Sequence, residues 1–215
     1  MNVIAFTGPQ GVGKTITSNI VVDMIGHEKA VRISLADGLR DFAQICFGSE
    51  FVALTKDRNK KDSYLDYEVS FGTKTFKSLI TPREVLIKLG DVLTTMNKDV
   101  FCEITHDRIV GLAEEGYDLV LIDDLRKPRE HAWFNALPYN NYVVSLDRSD
   151  ITLPSISIND YIAREDVLAE SNGYAFDLDT YDIAANVYSI QNKDAIATFL
   201  NDQLDIQINY DLGDF

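Results

Sequence analysis

The sequence predicts an α/β fold with a central parallel sheet of about five strands and helices on both faces. Three observations carry this expectation. Short apolar runs such as Val3-Ile4-Ala5-Phe6 and Leu119-Val120-Leu121-Ile122 lack the alternation of a half-solvated strand, so both of their faces should be covered. Segments of helical spacing alternate with these runs, the pattern of strand–helix–strand crossovers. The chain has 215 residues, 46% apolar and 25% charged, which suits one globular domain over residues 1–215.

Taken in order, Val3 to Phe6 reads as a buried strand ended by Thr7-Gly8-Pro9. From Lys14 the period changes: Ile16, Ile20, Val21, Met24 and Ile25 fall on one helical stripe, and Gly26 is a natural stop. Val31 to Leu35 is a second strand. Leu39, Phe42, Ala43, Ile45 and Cys46 then mark a helix closed by Gly48. Residues 50–80 read as an insertion. It holds a basic break with Lys56, Arg58, Lys60 and Lys61, expected to be a solvated loop. A hairpin follows, in which Tyr67, Val69 and Phe71 alternate with polar residues and Gly72-Thr73 turns the chain into Lys74-Thr75-Phe76.

Thr81-Pro82-Arg83-Glu84 is a helix start. Thr81 can cap, Pro82 suits the first helical position, and Glu84 completes a capping box. The apolar face of that helix is expected at Val85, Leu86, Leu89, Val92, Leu93 and Met96. A further helix runs from about Asp99 to Glu115, followed by the strand Leu119 to Ile122, which ends on Asp123-Asp124. Pro128 to Ala136 is a short helix and Tyr142 to Leu146 a strand. Residues 148–174 are irregular and acidic, the size of a lid. Ile183 to Tyr188 is a last strand and Lys193 to Leu204 a last helix.

Charge and composition narrow the function. The net charge is −14, which repels a polyphosphate backbone and makes nucleic acid a poor partner, while a few aimed donors can still hold a small anion. Cys46 and Cys102 are far apart in apolar contexts, as expected of buried thiols in a reducing compartment. No apolar run approaches the ~18 residues of a membrane span. The first residues lack the basic flank of a signal peptide. A cytoplasmic protein is the expectation, in a host cytoplasm if phage-encoded, and His27, His106 and His131 show no metal-ligand spacing.

The most specific signal is Gly8-Pro9-Gln10-Gly11-Val12-Gly13-Lys14-Thr15, which fits G-x-x-x-x-G-K-[ST] at every specified position. Glycines let successive backbone N–H groups turn toward a β-phosphate, and the following helix adds its positive end. Lys14 is expected to reach the β- and γ-phosphates, and the Thr15 hydroxyl to ligate Mg²⁺. The expected ATP site comprises Gly8, Gln10, Gly11, Val12, Gly13, Lys14, Thr15 and Ile16. An acid ending an apolar strand sits where α/β sheets hold ligands. Asp124 is the expected metal-orienting acid, with Asp123 as its competitor. Arg126 is placed to clamp a phosphate, and Arg148 and Arg164 of the lid-sized segment to reach a transferring phosphoryl group.

Together with this motif, Leu35-Ala36-Asp37-Gly38-Leu39-Arg40, Thr81-Pro82-Arg83-Glu84-Val85-Leu86-Ile87-Lys88-Leu89-Gly90 and Asp123-Asp124-Leu125-Arg126-Lys127-Pro128-Arg129-Glu130 resemble the phage-type deoxynucleoside monophosphate kinases. That resemblance implies a three-layer P-loop NTPase fold, ATP and Mg²⁺ as the phosphoryl donor, and a dNMP as the small-molecule acceptor. It places Asp37, Arg40 and Arg83 on the acceptor side, Asp124, Arg126 and Glu130 in the loop at the sheet edge, and Asn186 near the donor base; Asp91, which departs from the family pattern, and Glu130 are also expected to bind the acceptor. A homodimer is left open. The rival readings are another small-molecule P-loop kinase, of dephospho-coenzyme A or shikimate type, and a P-loop ATPase or GTPase used as a switch. No clear N-K-x-D tetrapeptide supports the GTPase form.

Overall fold

The computed structural model describes residues 1–8, 12–57, 59–65, 68–71, 74–77, 80–147, 181–184 and 190–204. It forms two compact units, one of residues Met1–Ser34 and His106–Phe215, the other of Leu35–Thr105.

The first unit is α/β. Its strands are β1 (Asn2–Thr7), β2 (Ala30–Ile33), β5 (Leu119–Ile122), β6 (Asn140–Asp147) and β7 (Tyr181–Ala184). They lie in the order β2-β5-β1-β6-β7, and every pairing is parallel. The register sets Ala5 opposite Ile122, and Ile33 opposite Ile122 on its other side. The carboxyl ends of β1, β5 and β2 therefore open side by side, where α/β sheets place ligands. The helices of this unit are α1 (Lys14–Ile25), α5 (Pro128–Asn135), α6 (Ile190–Leu204) and, from His106 onward, α4 (Val100–Glu114). Ile4, Phe6, Leu119, Leu121, Val144 and Leu146 join Val21 and Val22 of α1 and Ile196, Phe199 and Leu200 of α6 in one apolar cluster. Val3, Ala5, Val120 and Ile122, on the opposite side of their strands, are equally buried, which explains the unbroken apolar runs.

α1 differs from the stripe its sequence predicts. Its buried residues are Lys14, Thr17, Ser18, Val21 and Val22, while Ile16 and Ile20 are only half-buried. The small polar side chains suit a close approach to the sheet, and Ser18 satisfies its hydroxyl by donating to the Lys14 carbonyl at 2.9 Å.

The second unit is built on α2 (Leu35–Lys56) and α3 (Pro82–Met96), with the antiparallel hairpin β3 (Glu68–Phe71) and β4 (Lys74–Lys77). The hairpin falls between these helices in the chain and stands outside the parallel sheet. Gly48 takes φ 85 and kinks α2 where the sequence predicts a stop. Two expectations for this unit fail. Cys46 is exposed, whereas Cys102 is buried, because Cys46 falls on the outer face of α2 beside the 83% exposed Ile45. On α3, Val92 and Met96 are 60% and 82% exposed, so its apolar stripe is not a core stripe along its whole length.

α3 starts as its sequence dictates. The Thr81 hydroxyl accepts from the Glu84 N–H at 3.2 Å, and the Glu84 carboxylate accepts from the Thr81 N–H at 2.7 Å. Donation from the Thr81 N–H, and then from the Thr81 hydroxyl, holds the Glu84 carboxyl below the ordinary carboxylate range. Thr81→Ala should lower stability by about 1 kcal/mol, read as a shifted midpoint in urea unfolding at unchanged slope.

Candidate functional site

The glycine-rich segment leaves β1 through Gly8 and enters α1 through Gly13. Gly8 has φ 125, and a β-carbon there would lie 2.4 Å from the Leu146 carbonyl oxygen. Gly13 has φ 110 at the helix N-cap. Both positions are closed to L side chains by backbone strain, and Gly8 by contact as well. Val12 is fully buried and anchors the end of the loop, while Ile16 is half-buried. Gln10 and Gly11 lie outside the described residues.

Lys14 opens α1 and is 7% exposed. Its ammonium donates to the Gly8 carbonyl at 2.7 Å, so the side chain folds back over the loop. Burial first, and then the guanidinium of Arg126, lower its pKa from 10.5 to about 8, against the opposing pull of Asp123 and Asp124. Two cations are thus held near each other at the start of a helix, an arrangement a bound anion relieves.

The two adjacent acids have different partners. The Thr15 hydroxyl donates to Asp123 Oδ2 at 2.7 Å, joining the glycine loop to the end of β5. Arg32 Nη1 donates to the same oxygen at 2.8 Å. Asp123 is 6% exposed. Asp124 instead accepts from the Ser34 hydroxyl across the end of β2. The structure therefore brings Asp123, and not the expected Asp124, against Thr15. Consecutive residues leaving a strand point to opposite sides, so only one of the pair can face the loop. Thr15 donates its proton to Asp123 and keeps its oxygen lone pairs, which are the electrons a hard cation takes. Among the described residues no three His, Cys, Asp or Glu side chains group to hold a metal. The donor set that fits Mg²⁺ here is the Thr15 hydroxyl with ligand oxygens and water, oriented by the Asp123 carboxylate.

Glu130, expected on the acceptor side, has a local role. Its Oε2 accepts from the backbone N–H groups of Arg126 and Lys127, both at 2.8 Å, and so caps the start of α5. Burial raises its pKa, against the pull of those two donors. Beside it, His131 is 2% exposed, and burial lowers its pKa from 6.5 to about 4. Between those values the unfolded chain binds this proton and the native protein does not, so stability falls as pH falls through that window. From pH 6.5 to 5 this group alone should cost about 2 kcal/mol of unfolding free energy. His131→Gln should flatten the urea-unfolding profile over that range.

In the second unit, Arg40 Nη1 bonds Asp37 Oδ1 at 2.9 Å within α2. Arg83 Nε bonds Asp62 Oδ1 at 2.8 Å, both groups being more than a third exposed. The structure thus gives Arg83 a carboxylate partner in the insertion. Asp91 is exposed on α3. In the basic break, Lys60 makes an exposed ion pair with Asp57 at 3.8 Å. Arg148, Arg164 and Asn186, with the whole 148–174 segment, lie outside the described residues.

Arg32 and Ser34 are site residues that sequence reading missed. The signal for them was a charged residue inside an apolar parallel strand, Val31-Arg32-Ile33, and a hydroxyl at its end. No protein-family model matches the chain, and no curated protein matches it either. No helix among the described residues is long and apolar enough to cross a membrane.

Proposed function

We propose that this chain is an ATP-dependent deoxynucleoside monophosphate kinase on a P-loop NTPase fold, transferring the γ-phosphoryl group of ATP to a dNMP. The observation that carries the nucleotide site is the Thr15–Asp123 bond. It ties residue 15 of a G-x-x-x-x-G-K-T loop to an acid at the end of the neighbouring parallel strand. That is the pairing a nucleotide site needs between its phosphate loop and its metal-orienting carboxylate. The step to a dNMP acceptor rests on the resemblance of the 35–40, 81–90 and 123–130 stretches.

Phosphoryl transfer to a phosphate oxygen needs no general base, since the acceptor's second pKa is about 6. The chain must align two anions and offset their charge. In this reading, the loop amides and Lys14 hold the β- and γ-phosphates. Arg126 faces the charge that develops between donor and acceptor, with Arg148 and Arg164 assigned to the same task. Asp37, Arg40, Arg83 and Asp91 belong to the acceptor. Mg²⁺, when bound through Thr15, supplies Lewis-acid charge to the phosphate oxygens, and Asp123 orients its waters.

A coupled assay with ATP and a panel of dNMPs, NMPs and no acceptor tests the reading. Turnover with one dNMP supports it. Turnover with no acceptor favours a P-loop ATPase, and turnover only with a non-nucleotide alcohol favours another small-molecule kinase. Arg83→Ala should raise the KM for dNMP about 10- to 150-fold and leave the KM for ATP within about twofold, because a guanidinium–phosphate bond is worth about 1.5–3 kcal/mol. An unchanged dNMP KM assigns Arg83 to its exposed bridge with Asp62 alone, worth about 0–1 kcal/mol.

A further inference from the structure

We propose that Arg32 is a positioning residue of the nucleotide site, a built-in counter-cation that holds the Asp123 carboxylate and sets how strongly nucleotide binding depends on Mg²⁺. The inference rests on the nucleotide-site reading of the Gly8–Thr15 loop.

Arg32 lies on β2, whose one strand neighbour among the described residues is β5, and it reaches across to the carboxylate just past the end of β5. Its bond falls on Oδ2, the same oxygen that accepts from Thr15. Two donors converging on one oxygen fix the rotamer of Asp123 from the side of β2 and from the side of the phosphate loop at once. The exposures differ: Asp123 is 6% exposed and Arg32 36%. The carboxylate is the desolvated member, and the guanidinium its partly hydrated partner at the rim.

The consequence concerns charge. A phosphate group bound over the loop meets Lys14 and Arg126 as cations and Asp123 and Asp124 as anions. Without metal, an unbalanced Asp123 would repel it. Arg32 offsets that charge, so metal-free nucleotide is penalised less. With Mg²⁺ present, the guanidinium and the metal compete for the same carboxylate, so the metal gains less. Both effects act in one direction: Arg32 reduces the ratio of nucleotide Kd without Mg²⁺ to nucleotide Kd with it. A role in packing alone would weaken binding equally under both conditions and leave the ratio unchanged.

The test is ATP binding by calorimetry or a fluorescent ATP analogue, in excess Mg²⁺ and in EDTA, for the parent, R32Q and R32K. Folding of each variant is checked by its thermal midpoint. Loss of a partly hydrated unit charge beside a desolvated carboxylate should raise the Kd ratio of R32Q about fivefold or more. R32K keeps the charge and should stay within about twofold of the parent. A ratio in R32Q equal to or below the parent's, or an R32K ratio raised as far as R32Q's, overturns the role of Arg32 while leaving the nucleotide site standing. If the parent binds ATP in neither condition, the proposal and the nucleotide-site reading fall together. If R32Q does not fold, R32M removes the same charge and takes its place in the comparison.

Discussion

Lys14→Ala is expected to reduce phosphoryl transfer by roughly 10²–10³ or more while the protein stays folded. The side chain occupies a position no neighbour can take over. It starts α1, is almost fully buried, and lies over the loop with its ammonium 2.7 Å from the Gly8 carbonyl. Arg126 is near enough to lower its pKa, but leaves from a different element beyond β5. Burial of an ammonium is unfavourable by itself, and together with the nearby Arg126 it lowers the pKa of Lys14. Removing it should therefore leave stability nearly unchanged or slightly improved, which separates this variant from a folding defect. Steady-state turnover with ATP and the preferred acceptor, alongside a thermal midpoint, gives both readings. Turnover within tenfold of the parent would sink the assignment of the phosphate loop.

Asp123→Asn should lower Mg²⁺-dependent turnover by roughly 10²–10³, and Asp124→Asn by far less. The amide keeps the shape of the carboxylate and one acceptor oxygen. It loses the charge that faces Arg32 and that would orient metal-bound water. The amide also carries two N–H donors, which the donor-only guanidinium cannot accept. Asp124 bonds Ser34 instead, away from Thr15, so an amide there keeps an acceptor for the same hydroxyl. Titrating Mg²⁺ at saturating ATP separates the two. The Asp123→Asn protein should need much more metal to reach its lower maximum, while the Asp124→Asn protein should follow the parent curve. The reverse order would return the metal role to Asp124.

The glycine-rich entry to α1 was legible because its requirements are local. Gly8 and Gly13 take positive φ, and Lys14 and Thr15 sit on the first helical turn; residue type and spacing alone demand this. The Thr81–Glu84 box was legible for the same reason, since both of its bonds close within four residues. The acidic site was only half legible. A strand ending in Asp123-Asp124 announces a carboxylate at the sheet's carboxyl edge. The choice between two neighbours depends on which way each side chain leaves the strand.

By itself the sequence determined a parallel α/β sheet, glycines on either side of the turn from β1 into α1, a hairpin between helices and an acid at the end of β5. All of these follow from hydrophobic period, turn chemistry and motif spacing, which act over a few residues. Only the tertiary structure decided that Asp123 is the acid against Thr15, that Arg32 shares its oxygen, that Glu130 caps α5, and that part of the α3 stripe stays exposed. The physical reason is reach. The Thr15–Asp123 bond joins residues 108 apart in the chain and the Arg32–Asp123 bond residues 91 apart. Both exist because β5 inserts between β1 and β2, and strand order is settled by packing of the whole sheet, not by any single segment.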